Sequence, residues 1–277
     1  MHGVRKSSIL LFAAALLTSA TLWGAMLPDA NGASEESLPL VWTLSAPGSV
    51  LAPPVSLPRM APELTLQTFQ QRAARQLDQP VSYSANTVVE AELPDTAQRG
   101  EYRLRRRFIA PRTLLFTPVQ FAGDNFVKRN VIARLLQTEV DHVSKGESAR
   151  TAITEANYKF SYKGMGEIDD RPVHVFHVKP RAKRPGLFKG RIYLDASTGS
   201  LRRAEGTMVR TQSFFVKRIE FVQDYADLEG YTLPVHAHSL AQTRLLGRAV
   251  VEIATDGYDL NPALAASIES PASSGSQ

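Results

Sequence analysis

Four histidines are the first residues in this sequence that could do chemistry. His236 and His238 stand two positions apart in a stretch predicted as a strand, so both rings project from one face. His174 and His177 stand three apart, so on a strand their rings project from opposite faces. His174 or His177 could join His236 and His238 in one site only if the two predicted strands are neighbours in the sheet. No carboxylate has a matching short spacing, and we expect neither a metal site nor a cofactor.

Motifs that signal nucleophilic, nucleotide or zinc-hydrolase chemistry are absent from the sequence. There is no G-x-S-x-G elbow, Walker loop, G-x-G-x-x-G or H-E-x-x-H. With no cysteine, thiolate catalysis and Cys-based metal sites are excluded. The carboxylate pair Asp169-Asp170 precedes Arg171-Pro172, at a point where the chain must turn between two predicted strands. We therefore predict that these two residues form the turn rather than a catalytic pair. We therefore predict a protein that is not an enzyme; a hydrolase whose site is assembled only in three dimensions is the alternative.

Basic residues form two conspicuous groups. The alternating arginines at 103, 105 and 107 predict a solvated strand face, with phosphate binding as the alternative. The loop 179–186 is either a docking loop for an anionic partner or an ordinary exposed loop. Its basic residues are Lys179, Arg181, Lys183 and Arg184.

The N-terminus has the pattern of a signal peptide. Arg5 and Lys6 precede the apolar run 9–17, and small residues follow. That run is shorter than the ~20 residues that span a bilayer, which favours export with cleavage over a retained anchor. Removal of residues 1–33 takes away two positive charges and one negative charge, lowering the net charge from +5 to +4. We expect a periplasmic or secreted protein, whose mildly basic surface serves solubility or contact with anionic lipids.

Composition divides the exported chain into three parts. Residues 34–61 contain five prolines and predict an extended linker. Residues 62–262 carry the regular hydrophobic patterns of a folded domain. Residues 263–277 are rich in Pro, Ala, Ser and Gly and predict a disordered tail.

Alternation of apolar and polar residues dominates the second half of the folded domain. Tyr158, Phe160 and Tyr162 point one way, and the residues between them point the other. Such one-sided strands favour antiparallel pairing. In the strand near 214–226, Phe215 shares the apolar face, whereas Val216 is predicted on the polar face. Strands are predicted near residues 81–93, 101–110, 112–117, 152–163, 172–179, 187–195, 200–210, 214–226, 231–242 and 247–259.

Two helices accompany the predicted strands. The first begins at Pro62 and ends near Asp78, with an apolar stripe that should face the sheet. The second covers residues 125–143 and carries a stripe that includes Ile132 and Leu135. We interpret this stripe as core; a helix lying on a membrane is the alternative, although its polar face is not strongly basic.

The order of elements resembles the periplasmic lipoprotein-carrier superfamily of LolA, LolB and RseB. The resemblance rests on the first helix at 66–77, the hairpin at 83–108, and the short blocks GRIYLD at 190–195 and GYTLP at 230–234. It covers about residues 62–262. The chain differs from LolB in lacking the acylated cysteine. No residue is matched to the carrier's functional arginine, so no functional residue is carried over.

The resemblance implies an α+β fold, in which a curved antiparallel sheet forms a half-open barrel with helices on its concave side. In that superfamily the apolar cavity binds the acyl chains of lipoproteins, or the protein senses mislocalised envelope components. An inner face of Phe, Tyr and Ile could bury such a chain at about 0.8 kcal/mol per CH₂ group. Alternatively, the same side chains pack only against the helices. The candidate lining residues are Phe160, Phe188, Ile192, Phe215, Ile219 and Phe221.

We therefore predict an exported binding protein that shelters an apolar ligand without catalysis. Its expected partner is a lipid or the acyl chain of a lipoprotein. The alternative is an envelope sensor or scaffold of the same fold, in which a sheet edge or the basic loop meets a protein partner. We expect no nucleic-acid partner.

Overall fold

The computed structural model describes residues 58–211, 216–244 and 246–260. The predicted signal peptide, most of the predicted linker and the predicted tail lie outside these residues, as does Phe215. They remain predictions. Within the described part of the chain, no helix combines the length and the apolar character that a membrane crossing requires.

In the part of the chain that the structure describes, ten strands form one open antiparallel sheet, as predicted. Their order is β3-β2-β1-β10-β9-β8-β7-β6-β5-β4, so the first strand of the chain pairs with the last. The two edge strands, β3 and β4, follow one another in the chain and are joined by helices. The strands are β1 (Tyr83–Leu93), β2 (Gln98–Ile109), β3 (Thr113–Gly123), β4 (Tyr158–Ile168), β5 (Arg171–Pro180), β6 (Phe188–Asp195), β7 (Leu201–Met208), β8 (Val216–Leu228), β9 (Tyr231–Thr243) and β10 (Arg248–Asp259).

The helices lie where the sequence predicts them, with one local difference. The first, α1 (Pro62–Asp78), starts with proline, whose missing N–H would be unpaired there in any case. The second is α2 (Asn125–Val127), a π-helical turn (Lys128–Ile132) and α3 (Ala133–Ser144) in succession. We call residues 125–144 the plug. A short helix α4 (Ser148–Thr151) and a 3₁₀ turn (Pro94–Thr96) complete the set.

Tight turns hold the long strands in register. Asp169 and Asp170 both have positive φ, 49° and 58°, so the carboxylate pair forms a hairpin turn between β4 and β5, as predicted. At the turn after β6, Asp195 Oδ1 accepts hydrogen bonds from the backbone N–H groups of Ser197 and Thr198. Burial opposes the charge on Asp195, but these bonds stabilise it and hold the pKa of the carboxyl below its ordinary value.

The sheet curves around α1 and the plug, and the main core lies between them. Plug residues Ile132 and Leu135 share one buried cluster with Val89 of β1, Leu104 of β2 and Phe221 of β8. A smaller cluster at one end of β1 and β2 includes Val143 of α3. The plug makes its close backbone approaches to β1, β2 and β3, whereas α1 approaches β6.

One predicted strand face and two predicted strand boundaries were wrong for local reasons. The pairing register of β8 with β9 shifts between Val216 and Arg218, so a bulge at Lys217 turns Val216 into the core rather than outward. Strand β3 runs to Gly123 rather than ending near 117, because it continues past a bulge beside Pro118. Strand β4 starts at 158 rather than 152, because α4 and its following turn occupy the preceding residues.

Candidate functional site

The five predicted ligand-lining residues that the structure describes meet on the concave face. Phe188, Ile192, Ile219 and Phe221 are buried in the main core cluster, and half-buried Phe160 packs against it. Plug residues belong to the same cluster, so in this structure the hollow of the sheet is filled by the protein's own side chains. A ligand at these residues therefore requires the helices to shift.

Aromatic rings connect the rim of the hollow to its interior. The ring centroids of Phe160 and Tyr158 lie 6.5 Å apart, those of Tyr158 and Phe188 5.5 Å, and those of Phe188 and Phe221 5.0 Å. The Tyr158 hydroxyl accepts a hydrogen bond from the backbone N–H of Phe188 at 3.2 Å, which fixes the first rings. We call these four residues the aromatic row. It presents a continuous apolar path from an edge strand into the core.

Strand β4 leaves part of the concave face uncovered. Tyr162 pairs with Phe176 and Met165 with His174, so both share the inner face of the sheet. Nevertheless Tyr162 is 41% exposed and Met165 is 49% exposed. With Phe160, these two residues define what we call the open edge. The aromatic row begins at this apolar surface.

The opposite side of the hollow is closed by a buried ion pair, which we call the sealed end. Arg106 of β2 donates through Nη2 to Glu139 of α3 and through Nε to the Tyr83 hydroxyl at 3.0 Å. The side chains of Arg106 and Glu139 are only 5% and 12% exposed. Burial opposes the charge on Arg106, but the attraction of Glu139 outweighs it and raises the pKa of the guanidinium. The sequence showed Arg106 among apolar neighbours but did not indicate its partner.

Two small cavities border unpaired polar atoms on the concave face. One, of about 30 Å³, lies between α1 and the sheet beside Phe69 and Tyr225; another of the same size lies beside Arg106 and Gln223. Within the described residues, the buried Tyr225 hydroxyl and Gln223 Oε1 have no hydrogen-bond partner. Buried polar atoms are normally paired, so each needs a water molecule or a ligand atom.

The histidines occupy separate places. His236 lies on β9 between two carboxylates, with Nε2 2.7 Å from Glu252 Oε1 and Nδ1 3.8 Å from Asp224 Oδ2. His174 faces the concave side and His177 the opposite side, and three strands separate β5 from β9. Across the described parts of the chain, no group of three or more His, Asp or Glu side chains is placed to hold a metal ion.

The structure also assembles a hydroxyl–imidazole–carboxylate group that the sequence did not indicate. His142 Nε2 lies 3.2 Å from the Thr151 hydroxyl, and His142 Nδ1 lies 3.5 Å from Glu147 Oε2. Thr151 is only 6% exposed, and its hydroxyl also lies 3.3 Å from the Ser148 carbonyl oxygen. These contacts link the end of α3 to α4.

No protein-family model matches the sequence, and no curated protein sequence matches it.

Solved structures similar to this chain include a LolA-superfamily protein from Nitrosomonas europaea. The two sequences are 14% identical, the match covers 71% of this chain and 93% of that chain, and the TM-score is 0.38. A domain of an outer membrane lipoprotein-sorting protein from Vibrio parahaemolyticus shares 13% identity over 72% of this chain and 93% of its own, with a TM-score of 0.40.

A chain in the structure of the Pseudomonas aeruginosa MucA/MucB complex is also similar. It shares 10% sequence identity with this chain, the match covers 69% of this chain and 92% of that chain, and the TM-score is 0.24. These matches thus include a protein of the superfamily that the sequence resembles. Because the TM-scores of these structures are below 0.5, the functional conclusions rest on this chain's own geometry.

Proposed function

We propose that this protein is a binding protein of the cell envelope that shelters an apolar ligand, such as a lipid or a lipoprotein acyl chain, between its curved sheet and its helices. The observation that carries the proposal is the aromatic row, which leads from the exposed open edge into the core. An apolar chain laid along it would gain about 0.8 kcal/mol for each CH₂ group removed from water.

Binding along this path requires the helices to yield, because side chains of α1 and the plug now occupy the hollow. The plug contains a π-helical turn at Lys128–Ile132, an irregularity that is frequent at functional sites because it weakens the regular helix. Its firmest polar link to the sheet is the Arg106–Glu139 pair at the sealed end. We infer that the ligand enters from the open edge while this pair keeps the far side of the plug in place.

A protein partner is the second candidate, and the exposed edge of β4 favours it. An edge strand with uncovered backbone groups can pair with an extended segment of another chain. Lys163 bulges out of register between Tyr162 and Gly164, which interrupts part of that edge. The apolar ligand therefore remains our first proposal.

The test is to purify the protein without detergent and to analyse organic extracts by mass spectrometry, then to titrate delipidated protein with a fluorescent fatty acid. We expect co-purified lipid and saturable binding. Glu139→Gln should speed uptake of the probe, because the plug is less firmly held. The matched control is Glu220→Gln, which removes the same charge from an exposed pair with Arg218. No extracted lipid, and no saturable binding by either the natural chain or Glu139→Gln, would refute the proposal.

A further inference from the structure

A polar pocket lies beside the basic loop that follows β5. It has a volume of about 250 Å³ and lies between the end of α3, α4 and residues 184–186. Its lining includes His142, Lys145, Arg150, Thr151 and Arg184. The pocket is distinct from the apolar hollow and is large enough for a small anion with its attached group.

Positive charge dominates this pocket. Three cationic side chains line it, whereas Glu147 is the only carboxylate in its lining. Glu147 is already shared, since it lies 3.5 Å from both Arg150 Nη1 and His142 Nδ1. Burial lowers the pKa of the His142 imidazole, although Glu147 pulls in the opposite direction, so the imidazole adds little charge near neutral pH.

Arg184 and Lys145 have donors without an acceptor among the residues that the structure describes. Arg184 Nη2 donates to Asn157 Oδ1 at 2.5 Å, but its Nε–H has no acceptor in the described part of the chain. Neither Arg184 nor Lys145 belongs to any ion pair formed within residues 58–211, 216–244 and 246–260. A guanidinium carries five N–H donors in a geometry that matches phosphate or carboxylate oxygens.

The walls of the pocket are braced. Gly186 has a φ of +83°, and a Cβ there would lie 2.4 Å from Thr151 Cγ2, so the loop passes tightly against α4. Asn157 Nδ2 donates to the carbonyls of Ala149 and Ala152 at 2.9 and 2.8 Å. The residue that holds Arg184 is therefore itself fixed, and a site held in this way loses less entropy on binding.

Residues at the pocket are also close in the chain to Tyr158 and Phe188, the two middle residues of the aromatic row. Gly186 stands two residues before Phe188, and Asn157 immediately precedes Tyr158. We propose that this pocket binds a phosphate group, either as free phosphate or as the headgroup of an amphiphile whose chain follows the aromatic row. Binding of an amphiphile headgroup rests on the proposed function, whereas binding of free phosphate does not.

Calorimetric titration with inorganic phosphate at low ionic strength tests the site itself. We expect Arg184→Gln to weaken phosphate binding at least tenfold and Lys145→Gln several-fold. Lys189→Gln, on the outer face of β6, makes the same charge change away from the pocket and should leave binding unchanged. If Arg184→Gln fails to fold, exposed Lys145 still provides the test. No saturable binding by the natural chain, or equal binding by all variants, would overturn the proposal.

Two further ligands distinguish the sources. Short-chain phosphatidic acid should bind at least tenfold more tightly than inorganic phosphate if the group is a lipid headgroup, and equally if free phosphate is the ligand. A neutral alcohol of the same chain length should bind the natural chain and Arg184→Gln alike. Failure of that alcohol to bind would refute the apolar function while leaving a positive phosphate result intact.

Discussion

The two sides of the concave face are closed in opposite ways. At the sealed end, Arg106 of β2 and Glu139 of α3 bury a charged pair beneath the plug. At the open edge, Tyr162 and Met165 leave apolar surface in water. Breaking a buried ion pair is costly, whereas moving apolar groups that are already half in water is not. The difference indicates that the plug is held beside β1–β3 by a buried charge pair, whereas the β4 side of the concave face has apolar surface that the helices leave uncovered.

The largest expected effect comes from breaking the sealed end. Arg106→Met should lower the free energy of unfolding by about 3–5 kcal/mol, because Glu139 is left buried without its partner. Urea denaturation measures this loss. The double variant Arg106→Met/Glu139→Met should recover most of it, since no lone charge remains. Asp95→Asn, in the exposed pair with Arg248, should cost less than about 1 kcal/mol. A similar small loss for Arg106→Met would remove the distinction between the two ends.

The aromatic row gives a comparison within the open side. Phe188→Ala should cost about 3–5 kcal/mol, because Phe188 is buried between Tyr158 and Phe221. Phe160→Ala, at the half-buried start of the row, should cost about 1–2 kcal/mol because part of its ring is already in water. Both losses can be read from the same urea curves. Equal losses would show that the row is buried to the same depth along its length.

Acid should weaken the contact between α3 and α4 through His142. Its folded-state pKa is lowered, so the unfolded chain binds the proton more readily and stability falls as the pH drops below the ordinary value of about 6.5. The loss ends once the pH is below the lowered folded-state pKa. Melting temperatures between pH 8 and pH 5 should show the decline, and His142→Gln should make it shallower. The control is His238→Gln, because His238 is exposed. If the melting temperature of His142→Gln fell with pH as steeply as that of the natural chain, His142 would not be the group responsible.

The smallest effect on stability should come from the open edge. Met165→Gln changes an exposed side chain and should alter the free energy of unfolding by less than about 0.5 kcal/mol. It should nevertheless slow uptake of a fluorescent fatty acid, measured by stopped flow, because the apolar path then begins with a polar group. Lys159→Gln, on the same strand but the outer face, should leave uptake unchanged. Equal uptake by all three proteins would place the ligand's access elsewhere.

Local pattern predicted most of the fold. Alternation identified ten strands, and the stripes of α1 and the plug gave both long helices, because burial of one face dictates these periods. The bulge at Lys217 was not predicted. A bulge adds one residue to a strand, and the apolar–polar pattern on its N-terminal side does not show that the residue has been added. Five of the six predicted lining residues lie in the described part of the chain and belong to or pack against one buried cluster, but periodicity alone cannot tell a filled hollow from an open one.

Contacts between distant parts of the chain were beyond sequence reasoning. Arg106 and Glu139 are 33 residues apart, and only the packing of α3 across β2 joins them. The pocket beside Arg184 likewise combines α3, α4 and the β5–β6 loop, so the basic loop could be noticed in the sequence but its partner surface could not.

The amino-acid sequence by itself determined a one-sided antiparallel sheet, two amphipathic helices and the absence of cysteine chemistry, because these depend on residue type and local spacing. Tertiary structure decided which edge of the hollow is closed by charge and which is left apolar. It also decided that Arg184, His142 and Lys145 share a pocket. Such features depend on the order of strands across the sheet and on the path of the chain between its two edges, and no local pattern encodes either.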